Sequence, residues 1–346
     1  MSARSGDRAA AEIPVAGAEI IPAPSRRRKL RLFGIVRLAI AAGILAYLLR
    51  QIPLSLVVAA IVQVDRWWLL AAAALSVSGQ GVIAVRLRLL SNELGLALTT
   101  RRILQINVGA MFYGLFMPAA NVARSAVRLY AMAKPTGRIV EAMTAVFFDR
   151  LAATAATAIL ALVAFLPAAV PPRFVYIGWL FVASLAGMAL LFAAFTSRTA
   201  ATVWGRLAEL IGFPWGVARL SNIRTSLGRL RAVPAMVFVR LLTLALTAQA
   251  VSLVAAYSLA TAVGISIGLL ELAWIVGAVR LLVILPISPS GLGVREGALV
   301  VLLGAYGVPG QEALAFSLLG FATSELLIGL LGGLVEGKQF LRPQRD

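Results

Sequence analysis

The sequence predicts an all-α, polytopic integral membrane protein of about eight transmembrane helices with one or two broken or re-entrant segments, and three observations carry that prediction. Hydrophobic residues make up 61% of the 346-residue chain and charged residues 13%, against roughly a half and a quarter in soluble domains. The apolar residues come in blocks of about twenty, the number a helix needs to cross ~30 Å of hydrocarbon at ~1.5 Å per residue. Arginines gather in short segments beside those blocks, the pattern that orients membrane helices. The net charge of +18 therefore reads as topology, and no nucleic-acid partner is expected.

Residues 1–25, rich in Ala and Pro and without apolar periodicity, predict a disordered cytoplasmic tail. The basic run Arg26 to Arg31 precedes an apolar stretch, Phe33 to Leu49, longer than a signal core and without a small-residue cleavage site, so it is read as a retained first helix. Further spans are predicted near 67–85, 139–166, 174–195, 234–260 and 267–285, with a short one near 297–307 and a last near 311–334. Residues 26–340 then form a single transmembrane domain, and 341–346 a second cytoplasmic tail. Trp67 and Trp68 fall where an interfacial aromatic belt belongs.

Loop charges set the expected orientation. Arg86, Arg88, Arg101 and Arg102 are assigned to one cytoplasmic connection and six arginines between 198 and 231 to the next, whereas the loops near 167–173 and 261–266 hold only Arg173. Both termini are therefore expected in the cytoplasm. Within 198–231, Trp204, Leu207, Ala208 and Ile211 recur at helical spacing, which fits either a helix on the inner leaflet or a loop helix packed on its neighbours.

The stretch 103–138 breaks the pattern. About sixteen apolar-leaning residues precede Met117-Pro118, too few for a span, and Arg124, Arg128, Lys134 and Arg138 follow. A hairpin returning to the cytoplasm and a full span with basic residues outside are both open. A second break, "LPISPSGLGVREG", lies in the C-terminal half. In each an apolar run ends at Pro, small residues follow, and an arginine stands six positions after a proline: Pro118 to Arg124 and Pro289 to Arg295. Paired interruptions point to a transporter-type site between two halves. In the second, Gly291 and Gly293 allow a tight turn before Arg295-Glu296 open a short helix.

The absent residue types exclude much chemistry. With no cysteine and no histidine there is no thiol nucleophile, disulfide, His base or zinc site with such ligands. No phosphate loop, H-E-x-x-H or G-x-S-x-G occurs. No enzymatic activity, cofactor or metal is expected.

Charges inside the spans are the remaining candidates: Asp149-Arg150, Arg280 and Glu325. Each costs roughly 2.5–3.5 kcal/mol unpaired at a helix centre, so each should face the bundle interior. Neighbours in sequence diverge on a helix, which sends Asp149, Arg150, Arg295 and Glu296 to partners on other helices. One reading makes Asp149 and Arg280 members of helix-helix ion pairs. The other builds a cationic cavity in which Arg124, Arg150, Arg280 and Arg295, with Ser288, Gly291 and Gly293, receive a lipid phosphate while Asp149 or Glu296 balances the empty site. Gly329, Gly333 and Gly337, four apart, predict close helix packing.

"LPISPSGLGVREGALVVLLGAYGVPGQEALAFSLL" (Leu285 to Leu319) resembles the C-terminal signature of the lysylphosphatidylglycerol synthase transmembrane, or flippase-like, family. "TAVFFDRLAATAA" and "FMPAANVARSAVRLYAMAK" resemble two further elements of that family, over about residues 30–336. The family's Gly-Gly-Asp is here Val122-Ala123-Arg124-Ser125, its Gly-Gly is Ser290-Gly291, and a position often basic in relatives is Glu325. The resemblance implies an inner-membrane protein that moves or handles lipids: aminoacyl-phosphatidylglycerol, polyprenyl-linked sugars or hopanoids. Its partners would be membrane lipids, with a lipid-modifying enzyme or a second copy as further options. A membrane-embedded glycosyl or lipid transferase and a non-transporting partner subunit are the alternatives; the former lacks a D-x-D pair for a metal-bound nucleotide sugar.

Overall fold

The computed structural model describes residues 42–44, 46–48, 50–117, 120–196, 233–284 and 291–340. All of its regular elements in these residues are helical. They are α1 (Leu54–Val62), α2 (Arg66–Glu93), α3 (Thr100–Phe116), α4 (Ala120–Ala133), α5 (Ile139–Phe165), α6 (Ile177–Thr196), α7 (Ala235–Val263), α8 (Leu269–Ile284), α9 (Val294–Gly304), α10 (Gly310–Phe321) and α11 (Leu327–Phe340), with a 3-10 turn, Pro172–Phe174, before α6 and a π-helical segment, Ala322–Leu326, joining the last two. Among the described residues five stretches are long and apolar enough to cross a membrane: Arg66–Glu93, Ile139–Phe165, Pro172–Ala194, Ala235–Val263 and Gly310–Gly337. The chain is an all-α polytopic membrane protein.

Several expectations need correcting. The nine-residue α1 was not foreseen; Pro53 starts it, and its buried Val57 packs with Ile52 and Leu314 against α10. The second span continues to Glu93, so Arg86 lies in helix, buried, rather than in a cytoplasmic connection. Of the segment expected to span at 267–285, the described α8 has 16 residues, fewer than the about twenty needed to cross, while α9, expected to be short, has 11. The expected first span falls mostly outside the described residues, as do the loop helix near 204–211, Pro118, Pro289 and Ser288.

The stretch 103–138 forms a helical hairpin. α3 (17 residues) and α4 (14 residues) are joined over three residues and pack on each other. Thr99 caps α3 by accepting from the Arg102 N–H at 3.3 Å, and Met117, in extended geometry, ends it. α8 and α9 pack together as a second short-armed pair. α5 packs against both α4 and α8, so one long helix stands between the two pairs.

Two apolar clusters lie at different heights along the long helices. One gathers Leu87, Leu90, Leu94, Ile103, Met132, Ala142 and Phe148. At that end Arg138 reaches the Gly95 carbonyl at 2.8 Å and Arg88 the Thr100 hydroxyl at 3.0 Å, so the basic residues cluster beside it. The other gathers Phe181, Leu259, Trp274, Ile275 and Leu303, with Trp274 fully buried and donating to the Tyr306 hydroxyl at 3.2 Å.

α11 lies against α3 along a glycine face. A Cβ at Gly329 would sit 2.5 Å from Leu115 Cδ1, one at Gly333 2.8 Å from the Phe112 ring, and one at Gly332 on the Val108 carbonyl. Small residues permit this backbone approach. Gly337, expected in the same row, meets nothing within 4 Å; Gly332 takes the closest position instead.

Candidate functional site

Between the two apolar clusters, near the middle of α5 and α7, a cavity of about 400 Å³ opens. On α5, Phe148 and Leu151 belong to the first cluster and Ala158 and Ala161 to the second, while Arg150, Ala153, Thr154 and Thr157 face the cavity. Four arginines line it: Arg124 from α4, Arg150 from α5, Arg280 from α8 and Arg295 from α9. Glu325, from the π-helical segment, is the one carboxylate among the lining residues. All four sequence-predicted arginines thus converge on one chamber.

Arg124 and Arg295 grip the same carboxylate. Arg124 Nη2 donates to Glu325 Oε2, and Arg295 Nη1 stands 3.7 Å from Glu325 Oε1. The two broken segments of the chain therefore meet through a single acid. A π turn inserts one residue into the helical ladder and recurs at functional sites; here it sets Thr323, Ser324 and Glu325 against the cavity. Arg124 fits because residue 114 is glycine: a Cβ there would lie 2.5 Å from its Nε.

Arg295 has a second carboxylate beside it. Its Nη2 donates to Glu296 Oε1 at 2.6 Å, and Ser317 donates to the same oxygen at 3.2 Å. The other oxygen of Glu296 accepts from the Gly293 N–H at 2.7 Å, the reciprocal half of a capping box. Arg295 and Glu296 were expected to find partners only on other helices, and this pair corrects that. In the first helical turn Glu296 folds back over the N-terminus, and the long Arg295 side chain can follow it. Gly291 and Gly293 hold φ of +77° and +78°, a region closed to most side chains, and form the turn into α9 rather than the cavity wall.

Asp149 belongs behind the wall. It is 3% exposed and accepts from Arg86 Nε at 2.6 Å, with Arg128 Nη1 at 4.0 Å. It thereby ties α2 and α4 to α5, the helix-helix ion pair of the first reading. Glu296 is likewise 2% exposed and off the wall. Arg150 diverges from Asp149 into the cavity as i,i+1 geometry requires.

Arg280 joins no ion pair among the described residues. Its Nη1 donates to Gln249 Oε1 at 2.7 Å and its Nη2 to Ser252 Oγ at 2.6 Å. Gln249 in turn donates to the Ala153 carbonyl at 3.3 Å, which braces Arg280 about one turn along α5 from Arg150. Two neutral acceptors fix the fork without cancelling its charge, and three of its five N–H donors meet no acceptor among the described residues. Arg150 has neither carboxylate nor hydrogen-bond acceptor among the described residues.

Sequence reasoning missed four of these residues. Glu325 stood out as an intramembrane charge but not as the shared partner of two arginines. Gln249 and Ser252, one turn apart in the apolar α7, carried a readable polar signal. Arg86 was hidden by ending the second span one residue early.

Chemically the chamber can receive an anion. Guanidinium forks match phosphate oxygens bidentately, and both interrupted segments bring a helix N-terminus to it, through Asn121 of α4 and Arg295 of α9. Among the described residues no cluster of acids and histidines could hold a metal. The family described as Lysylphosphatidylglycerol synthase TM region matches residues 34–332. No curated protein matches the chain.

Proposed function

The chain belongs to the lysylphosphatidylglycerol synthase TM region family, and from that premise we propose that it is an inner-membrane lipid flippase or transporter-like protein for a lipid with an anionic or modified head group, with no reaction of its own. One observation carries the reading: four arginines, three from the two short-armed pairs and one from the long α5, line one polar chamber at mid-height of the bundle. Charges there are costly and mark transport pathways by default. Interrupted helices meeting at a midplane site are the build of many secondary transporters.

In this reading the head group leaves one interface, rests in the chamber while its tails stay in lipid, and leaves toward the other. The arginines replace the water that the phosphate loses. The bundle end carrying Arg88, Arg101, Arg102, Lys134 and Arg138 faces the cytoplasm by the positive-inside rule, which also places both termini there.

Reconstitution in proteoliposomes with a fluorescent anionic lipid, read by chemical quenching of the outer leaflet, tests this. Faster leaflet exchange than in empty vesicles, lost on Arg280→Gln, is expected. Exchange at the empty-vesicle rate in wild type, or unchanged by the substitution, would overturn it.

A further inference from the structure

The chamber's charge count identifies the class of head group, an inference that rests on the lipid-handling reading above. Four guanidinium groups line the cavity, and two carboxylates meet them: Glu325 at Arg124 and Glu296 at Arg295. Behind the wall Asp149 is shared by Arg86 and Arg128, two cations to one acid, so that group adds one further positive charge beside the chamber rather than cancelling one in it. Arg150 and Arg280 are left with no carboxylate among the described residues, and Arg280 is held in place only by the neutral Gln249 and Ser252. Two of the four lining arginines thus have no paired carboxylate among the described residues at mid-span, where a single such charge is already expensive.

We propose that the chamber selects a dianionic phosphate head group, a phosphomonoester or a diphosphate, over a monoanionic phosphodiester, and excludes a cationic aminoacylated one. A phosphomonoester carries about −1.5 to −2 at neutral pH, matching the uncompensated pair. A phosphodiester leaves one arginine unbalanced. A lysyl head group brings an ammonium among four guanidiniums, and the only lining carboxylate among the described residues is already gripped by two of them. The hydroxyls beside Arg150 and Arg280 add no anion: Thr154 donates to the Arg150 carbonyl at 3.0 Å and Thr157 to the Ala153 carbonyl at 2.9 Å. Their free lone pairs accept from head-group hydroxyls and do not repel the phosphate as a carboxylate would.

Native mass spectrometry of the full chain in neutral detergent at a pH of about 8, with equimolar phosphatidic acid, phosphatidylglycerol and lysyl-phosphatidylglycerol competing, reads the preference. Phosphatidic acid is expected to occupy the protein at least about tenfold over phosphatidylglycerol, with no retained lysyl-phosphatidylglycerol. Arg150→Gln, which breaks no hydrogen bond among the described residues and so should fold, is expected to bring the first two lipids to within about twofold. Equal retention of phosphatidylglycerol in wild type, retention of the lysyl lipid, or an unchanged preference in Arg150→Gln would overturn the proposal. Inorganic pyrophosphate is the soluble arm: if it binds and no lipid does, the lipid assignment falls. The predicted binding order without leaflet exchange in proteoliposomes would sink the transport reading and leave the charge count standing; brisk exchange of phosphatidylglycerol with no dianion preference would do the reverse.

Discussion

The two interrupted pairs, α3–α4 and α8–α9, bring an arginine to the same chamber by opposite electrostatic means. α8–α9 carries its own acids, Glu271 and Glu296, and Glu296 both caps α9 and neutralises Arg295 from the adjacent position. α3–α4 has no carboxylate in either helix. Its Arg128 borrows Asp149 from α5, and its Arg124 borrows Glu325 from the π segment. Arg295 of one pair is paired with an acid of its own helix, while its Arg280 rests on neutral acceptors; the arginines of the other pair are tethered to the bundle through borrowed acids. An anion entering the chamber competes directly for Arg124 but finds Arg295 still held by Glu296.

The largest test of that asymmetry is Asp149→Asn. It strips the buried Arg86 and the partly buried Arg128 of their shared charge, and breaking such a pair costs about 3–5 kcal/mol. A large drop in thermal midpoint or loss of folded protein in detergent is expected; a shift under a degree would mean α4 is not anchored by Asp149. Next is Gly291→Ala, where φ of +77° and a Cβ 2.5 Å from Val283 Cγ1 predict about 1–3 kcal/mol of destabilisation from the second turn alone. Wild-type unfolding in this variant would show that the turn into α9 does not need the glycine conformation. The smallest effect is the sharpest comparison. Double-mutant cycles in chemical unfolding should give a coupling of about 1 kcal/mol for Arg124 with Glu325 and less than about half that for Arg295 with Glu325. Equal couplings would erase the distinction between the two pairs.

Much of this architecture was legible because hydrocarbon thickness imposes length and charge placement directly on the sequence. The long spans at 139–166 and 234–260 differ from the observed α5 and α7 by a few residues at most. The interruptions read in the sequence fall between α3 and α4 and between α8 and α9, and the arginines within or beside apolar runs marked the chamber. What stayed hidden depends on partner geometry. Nothing local to Glu325 reveals a π turn, since that needs only one more residue per turn in an otherwise helical run. The Arg295–Glu296 contact follows from the first-turn position of both residues, which the general i,i+1 rule does not consider. Arg86 was lost because positive charge reads as the end of a span, and only its packing against Asp149 makes it affordable inside one. Gly332 escaped a four-residue spacing rule because α3 crosses α11 at a register the glycines alone do not define.

Arg124, Arg150, Arg280 and Arg295 together form the proposed anion site. Cryo-electron microscopy of the full chain in nanodiscs containing phosphatidic acid, with a bound antibody fragment for alignment, tests it most directly. The account predicts phosphate density in the chamber within hydrogen-bond reach of Arg150 and Arg280, absent in Arg150→Gln/Arg280→Gln. An empty chamber in the same nanodiscs, with ordered lipid only on the outer faces of the bundle, would contradict it.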